Sequence, residues 1–517
     1  MAEESELKST IFRKLKMAQD DRAQAAYWIN NVLGFAMPLE TKVGTDSAQP
    51  VNPENQSDIF DTTLQETLND FGSDMSHLFT PRHEKWVKFE LSKVLTTGQQ
   101  TQYQKEVDAV SDMLFEEIEK SNFYESAGEA YNNWGITMMA ISIASGGLGK
   151  PIDCQPIPLN QLLVCRGANG TFDAIFREFG KMTEDDLRLV WPNDFKAPKG
   201  EDKKKAVKPI EAWVRNYEDP TIEAWDYFIL VGKDIRVQKK FSGPGSCGII
   251  VCPWRKKSNT AWAAGPAYTA LPTARLLDEL NYLGLKALNR DLDPVVSYQE
   301  DGVLNPEGGI DAGTWLPRAP GSDAPIPIES KARTDLAIFE RTRLERKIKA
   351  QLYQDRPDQA GKTPPTATQW LDEKAWNTRR MELPRDLATN LWVIPIINRF
   401  SWLLDKAGKR LGFKVGDEFI QLKPITPLSK ARDIEDINTT MQVIGWTQMI
   451  LNLDQIPNNP IDSMGTIQAI KQTASERHIA FKTPEQIQAQ QMLSMAQQAA
   501  PAMQMLGQSG MGAQDVQ

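Results

Sequence analysis

An α+β, mainly helical fold is predicted by two features of the chain. Apolar residues recur at helical spacing over long stretches, above all 268–291, 331–353 and from Thr366 or Thr368 to Leu411. Between Gln161 and Cys252 the pattern changes to short alternating runs bounded by turn residues, which predicts strands. A strand pair, 295–298 and 310–315, interrupts the first two long helices.

The first element is an amphipathic helix over 5–33: Ile11, Leu15, Ala18, Ala25, Ile29 and Val32 form its stripe, Arg22 interrupts it and Gly34 ends it. Residues 36–57, rich in Pro, Ser, Asn and Gln, read as a loop. A helix follows over 58–78, carrying Leu64, Leu68, Phe71 and Met75, and closes on Phe79-Thr80-Pro81. Helices are predicted over 99–121 and over 122–144. Strands are expected at 161–165, 172–179, 212–217, 225–231, 235–241 and 248–252. Asn169-Gly170 supplies a hairpin turn, because both residues tolerate positive φ. Thr183 caps a helix whose first turn is acidic, and the Lys-rich piece 196–208 reads as a solvated loop.

The helix over 268–291 stops at Asp293-Pro294, and 317–328 is rich in Pro, Ala and Gly. The helix over 331–353 carries Leu336, Ile338, Phe339, Leu344, Ile348 and Leu352 amid dense charge. Residues 355–365 break helix; Pro384 and Pro395 should kink the long helix that follows. A strand is expected at 419–422, then helices over 431–490 with a loop at 453–463. Thr483 caps a helix with Pro484 at its first position. The Gln, Ala, Met and Gly tail from about Gln486 reads as a partner-dependent helix or as disorder.

At 517 residues the chain is long enough for three or four folding units. With 41% apolar and 25% charged residues it has the composition of a soluble globular protein. It lacks a transmembrane-length apolar run, and its acidic start is unlike a secretory signal. The four cysteines and three histidines have no zinc or disulfide-framework spacing, so reduced, buried thiols are expected. The net charge of −9 argues against a tight grip on nucleic acid, but not against a conduit through which DNA slides.

No catalytic signature carries weight. Ser145–Lys150 imitates a phosphate loop, but Ala144 stands at the first Gly position and Pro151 where Ser or Thr is needed, so it reads as a helix end and turn. Carboxylate clusters such as Glu184-Asp185-Asp186 read as solvated faces, and no metal or cofactor is expected.

Seven or eight short motifs in one order resemble the portal protein (head-to-tail connector) family of short-tailed, podovirus-type bacteriophages. They include Pro253-Trp254-Arg255, Gly265-Pro266-Ala267, Ala270-Leu271-Pro272, Leu280-Asn281, Asp293-Pro294 and Asp301-Gly302. Thr80-Pro81 with Trp86-Val87-Lys88-Phe89, Met182-Thr183 and Pro427-Leu428 fit the same order. In three places the chain departs from the pattern. Trp254 precedes Arg255, Asp311-Ala312-Gly313 stands near the later Pro-Gly position, and Pro365-Thr366-Ala367-Thr368-Gln369-Trp370 matches the tunnel-loop helix start only in part.

The resemblance implies a wing over 1–266, stem helices over 267–292 and 331–353, and a clip over 293–330 between them. A tunnel loop over 354–366, a kinked helix with a wing return strand over 367–427, a helical crown over 428–490 and a low-complexity tail over 491–517 complete it. It implies a non-enzymatic subunit of a ring of about twelve copies at one capsid vertex. Such a ring assembles in the host cytoplasm and serves as the channel for DNA packaging and ejection. Implied partners are the terminase large subunit, head–tail adaptor and tail proteins, major capsid and scaffolding proteins, and sliding double-stranded DNA, with no membrane. Arg343, Arg346, Lys347 and Lys349 are candidates to face the channel or a neighbour, with ion pairs to Glu340 and Glu345 as the competing role. Arg356 and Lys362 are candidates for weak contacts with DNA phosphates in the tunnel loop. Tyr298, Leu304, Trp315 and Leu316 are candidates for subunit pairing or partner docking in the clip, or for its core. Two other classes stay open: a cytosolic nucleic-acid-processing enzyme using the basic helix 341–349 and the acidic clusters, and a non-portal helical scaffold.

Overall fold

The computed structural model describes residues 2–44, 51, 58–91, 97–146, 152–167, 171–191, 194–195, 206–219, 221–257, 260–292, 296–297, 315–316, 326–327, 334–354, 380–407 and 420–424. The chain divides into two compact units, Met1–Leu428 and Ser429–Gln517, and the described residues lie in the first. The expected helices over 431–490, the Thr483 cap and the Gln-rich tail lie outside the described residues.

The first unit opens with helices α1 (Ala2–Ala36) and α2 (Thr63–Phe79), strand β1 (Val87–Leu91), and helices α3 (Thr97–Lys120) and α4 (Phe123–Ile136). Strands β2 (Met138–Ser145), β3 (Ile152–Pro156), β4 (Leu162–Arg166), β5 (Phe172–Glu178) and β6 (Met182–Thr183) precede helix α5 (Glu184–Val190). Then come β7 (Ala206–Val207), β8 (Pro209–Asn216), β9 (Ala224–Val231), β10 (Asp234–Ser242) and β11 (Ile249–Pro253). Helix α6 (Pro266–Leu292) leads to three two-residue strands, β12 (Val296–Ser297), β13 (Trp315–Leu316) and β14 (Ile326–Pro327), and to helix α7 (Thr334–Gln351). Helix α8 (Glu382–Ala388), a π-helical segment (Thr389–Val393), helix α9 (Ile394–Lys406) and strand β15 (Ile420–Pro424) complete it.

The largest sheet is five-stranded and antiparallel, in the order β10-β9-β8-β5-β4. Its two faces alternate as strand geometry requires. Leu163, Ala174, Phe176, Ala212, Phe228 and Leu230 face one cluster, which Ile11, Leu15 and Ala18 of α1 cover. Val164, Ile175, Trp213, Tyr227 and Ile229 face the main core. Arg22, which breaks the apolar stripe of α1, donates to Glu178 at the end of β5 (2.6 Å) and to the carbonyl of Asn160 (2.7 Å). The interruption thus fastens the helix to the sheet. Thr183 caps α5 with a reciprocal capping box to Asp186.

Two boundaries differ from expectation for identifiable reasons. The helix expected to run to 144 ends at Ile136, and Met138–Ser145 is the central strand of a second sheet, β11-β2-β3. Met138 to Ile143 are buried one after another, and a continuous apolar run buried on both faces is as compatible with a strand as with a helix. Ser145 accordingly ends a strand, not a helix. The helix expected from 58 begins at Thr63, because the backbone N–H groups of Phe60 and Asp61 donate to Asp278 of α6 instead (2.6 and 2.9 Å). Strands β1, β3, β6 and β7 are additions to the expected set, whereas β15 is the strand expected at 419–422 and pairs with β1.

The core beneath these sheets is aromatic. Phe71, Phe79, Tyr131, Trp134, Trp254 and Trp392 are fully buried or nearly so. Trp134 and Trp254 lie 4.6 Å apart edge to face, and the Trp392 indole donates to the Tyr131 hydroxyl (3.2 Å). Trp254, from the Pro-Trp-Arg motif, is therefore a core residue whose N–H donates to the carbonyl of Thr137 (2.9 Å). The Gly265-Pro266 break has a related cause. Gly265 donates to the carbonyl of Ile136 (2.7 Å), and a Cβ there would lie 2.3 Å from the carbonyl oxygen of Gly135. Close approach at the end of α4 thus sets where α6 starts.

The late helix is bound to both sheets by one side chain. Arg399 of α9 is buried; its Nε donates to the carbonyl of Ile143 in β2 (2.9 Å) and its Nη1 to the carbonyls of Gly245 and Ser246 (3.2 and 3.1 Å). Its guanidinium lies 4.7 Å from the Trp402 ring centroid and 5.8 Å from that of Trp213. Burial lowers its pKa to about 10, so it remains charged at neutral pH. Gly245 has φ +76, and a Cβ there would sit 2.3 Å from the backbone of Asn398. Pro395 has no N–H to give the preceding turn, and the π-helical segment lies immediately before α9. Pro384 instead sits in the first turn of α8.

Arg399→Met should leave three buried carbonyls short of a donor and cost about 3–5 kcal/mol in urea unfolding followed by tryptophan fluorescence. Gly245→Ala should lower the same transition, since it combines positive φ with a clash against α9. All four cysteines are buried, and burial pushes Cys154 and Cys247 up to about 12. N-ethylmaleimide at pH 8 should therefore leave the native protein unlabelled and add four labels after denaturation.

Candidate functional site

Helix α6 is two helices in its chemistry. Its first part packs into the main core through Ala267, Ala270, Leu271, Ala274 and Leu277. From Glu279 onward no residue of the helix is buried, and most are exposed. At 27 residues the helix is about 40 Å long, of which more than 20 Å lies beyond the anchored part. Helix α7 shows the mirror pattern: Leu344 and Ile348 near its end, with Leu352 just beyond, are buried in the same core, while Ile338 and Phe339 in its first part are exposed. The two helices pack against each other, so the chain leaves the body on α6 and returns on α7.

The segment before α2 braces this exit. Asp278 accepts from the N–H groups of Phe60 and Asp61, the Asn281 amide donates to Asp61 (2.9 Å), and Phe60 lies 4.9 Å from Tyr282, centroid to centroid. Trp28 of α1 meets Tyr268 edge to face at 5.4 Å.

The exposed part of the pair carries uncovered apolar side chains. Leu283, Leu285, Leu288 and Leu292 of α6 and Ile338 and Phe339 of α7 are between 49% and 75% exposed. At 100° per residue, Leu285, Leu288 and Leu292 fall within about 60° of each other, whereas Leu276 and Leu283 lie on the opposite side of the helix. Apolar side chains on both sides of a protruding helix exceed the isolated exposed residues of an ordinary surface.

The predicted cations of the second helix are all on α7 and exposed. Arg343 donates to Glu340 through Nε (2.8 Å) and Nη2, and Arg341 donates to Glu345 (2.8 Å). The hydrogen bond from Arg343 holds the Glu340 carboxyl below its usual range, helped by the nearby Lys347. Lys349 lies in the last turn of the helix and Arg346 one turn before it. Between α6 and α7, β12 is the middle strand of a small sheet: Val296 pairs with Trp315 and Ser297 with Leu316 in parallel, and β14 adds on the other side antiparallel. The expected strand pair is thus part of a three-stranded sheet, with Trp315 and Leu316 forming one of its edge strands. Tyr298, Leu304, Arg356 and Lys362 lie outside the described residues.

Sequence reasoning missed the exposed leucines of α6. The available signal was their presence on opposite sides of one helix. Among the described residues, no group of three or more His, Cys, Asp or Glu is placed to hold a metal, and no helix is long and apolar enough to cross a membrane.

The first unit is thus a body of mixed helices and sheets that sends out a helix pair with a small sheet between its two helices. The profile of the bacteriophage head to tail connecting protein family matches residues 8–454, and the chain belongs to that family. It is accordingly a structural protein of the phage particle and not an enzyme. No curated protein matches the chain. Among solved structures it is similar to a chain of the virion of a native gene transfer agent particle, at 13% identity and TM-score 0.35, over 75% of this chain and 87% of that one. A chain from the neck of an empty gene transfer agent particle, computed with C6 symmetry, has 13% identity and TM-score 0.34 over 73% of this chain and 84% of that one. A chain from the neck of the native particle, computed with C12 symmetry, has 14% identity and TM-score 0.31 over 86% and 97%.

Replacing Asp278 by Ala should remove the acceptor for two N–H groups and loosen the 58–62 brace. Faster amide exchange at Phe60 and Asp61, with little change at β8 and β9, is the expected result.

Proposed function

We propose that this chain is the portal subunit of a phage head. Copies close head to tail into a ring of about twelve at one capsid vertex, and the ring axis is the channel for DNA packaging and ejection. In this reading α6 and α7 are the stem. The clip between them docks the terminase large subunit and, after packaging, the head–tail adaptor; Trp315, Leu316, Tyr298 and Leu304 are its candidate contacts. Arg356 and Lys362 of the tunnel loop, with Arg343, Arg346, Lys347 and Lys349 of the stem, are the cations nearest the DNA path. Capsid and scaffolding proteins surround the ring during assembly in the host cytoplasm.

The uncovered leucines of α6 carry this reading. A closed heterologous ring gives every subunit a neighbour on each of two sides, and α6 presents apolar side chains on both. Covering the half of each that is still exposed would stabilise assembly by roughly 1 kcal/mol per leucine. The overall charge of −9 suits a wall past which DNA must slide.

The test is the solution mass of wild type and of Leu285→Asp/Leu288→Asp, measured by light scattering. The wild type should have a mass of many subunits, and the double variant should fall to the mass of one subunit with unchanged circular dichroism, because both residues are about half exposed before assembly. An identical multi-subunit mass in the variant would remove the stem leucines from the interface.

A further inference from the structure

Helix α7 stops at a place that its own sequence does not mark. Gln354 donates its N–H to the carbonyl of Lys349 (2.8 Å) and Tyr353 donates to that of Ala350 (3.3 Å), the paired bonds of a Schellman helix end. That motif needs a left-handed residue at the position of Tyr353, and glycine is the usual occupant. Tyr353 takes the position with φ +62, and among the described residues it is the one non-glycine with positive φ. The apolar contact that commonly accompanies the motif would join Lys349 and Gln354, and neither side chain is apolar. Beyond Tyr353 the sequence reads Gln354-Asp355-Arg356, and Pro357 is the first residue that breaks a helix.

The stop is made from outside the helix. Two distant elements hold the Tyr353 ring: Trp254, just after β11, at 5.6 Å between centroids, and the Arg380 guanidinium, just before α8, at 4.9 Å from the centroid. Arg380 Nη2 also donates to the carbonyl of Ala350 (2.8 Å), the same oxygen that the Tyr353 N–H uses. Trp254 is buried in the main core and gives the ring a fixed support, whereas Arg380 is only half-buried. A residue with a β-carbon is strained in the left-handed region, so the backbone at Tyr353 is biased towards the helical conformation that these contacts deny it. Leu344, Ile348 and Leu352 already recur every four residues, so a helical continuation lengthens α7 without shifting its buried stripe.

We infer that Trp254, Tyr353 and Arg380 form a conformational latch at the foot of α7, and that its release lets the helix run on past Tyr353 to Asp355. The extension adds about 5 Å of helix and changes the direction in which the chain leaves it. Helix α7 is one continuous element of 18 residues whose first part exposes Ile338 and Phe339. A partner that covers that part therefore acts on the latch along a single helix. The inference goes beyond the portal reading and stands whether or not copies of the chain form a ring, since all three residues belong to one subunit.

The experiment is hydrogen exchange of the full-length protein, resolved to single amides by mass spectrometry with gas-phase fragmentation. Wild type is compared with Arg380→Ala, with Tyr353→Leu and with Arg380→Ala/Tyr353→Gly. The two single variants open the latch from either side and keep a β-carbon at position 353; glycine removes the strain that drives the extension. Arg380→Ala and Tyr353→Leu should each slow exchange of the Asp355 amide by about tenfold or more, because that N–H gains the Gln351 carbonyl as acceptor. In the double variant Asp355 should exchange as in wild type. Faster exchange from Leu352 to Gln354 without protection of Asp355 would make these contacts a simple helix cap and overturn the inference. Unchanged exchange in both single variants would overturn it too, as would equal protection of Asp355 in the double variant. Tryptophan fluorescence checks that each variant is folded, and Tyr353→Leu carries the test if loss of Arg380 unfolds the chain.

Discussion

The geometry of the whole body depends on how one buried guanidinium is held. Arg399 reaches from α9 into the gap between the two large sheets and donates to carbonyls on β2 and on the turn before β11. A cation in that position needs acceptors and ring faces on every side, and the three carbonyls with Trp213 and Trp402 supply them. Nearby, Glu211 accepts from the Trp213 indole (3.0 Å), and burial raises its carboxyl above its ordinary range. The neighbouring charges of Arg177 and Arg399 act in the opposite sense. The result is a polar node inside an otherwise apolar core, satisfied in one arrangement of sheets and helix only.

That node fixes the frame from which the α6–α7 pair protrudes. Chain from β2 leads back through α4 to Gly265, where the first turn of α6 sits against the end of α4. The aromatic cluster of Trp134, Trp254 and Trp392 lies between this junction and the late helix. A protruding helix pair transmits little force unless its base is rigid, and here the base is a close-packed junction with a short glycine contact. The functional region is thus a part whose own apolar surface is unfinished, held by a part whose surface is complete.

Much of this was legible in the sequence because the signals were local. The alternation in β10, the Thr183 cap, the glycine-proline start of α6 and the cysteine usage all express short-range chemistry. The failure at β2 has a definite cause. Met138 to Ile143 have no polar face, so neither period is visible and only the neighbouring strands decide. Arg22 and Arg399 look like interruptions in apolar stripes, and only tertiary contact with Glu178 and with the sheet carbonyls gives them meaning.

The central claim is that the protruding helix pair completes itself against neighbouring copies. Electron microscopy of the purified protein in negative stain addresses it most directly. The account predicts rings with a central channel and about twelve-fold symmetry, narrowed on one side where the helix pairs converge. Dispersed single subunits of 58.1 kDa at high concentration would contradict it, because the leucines of α6 would then remain in water without a partner.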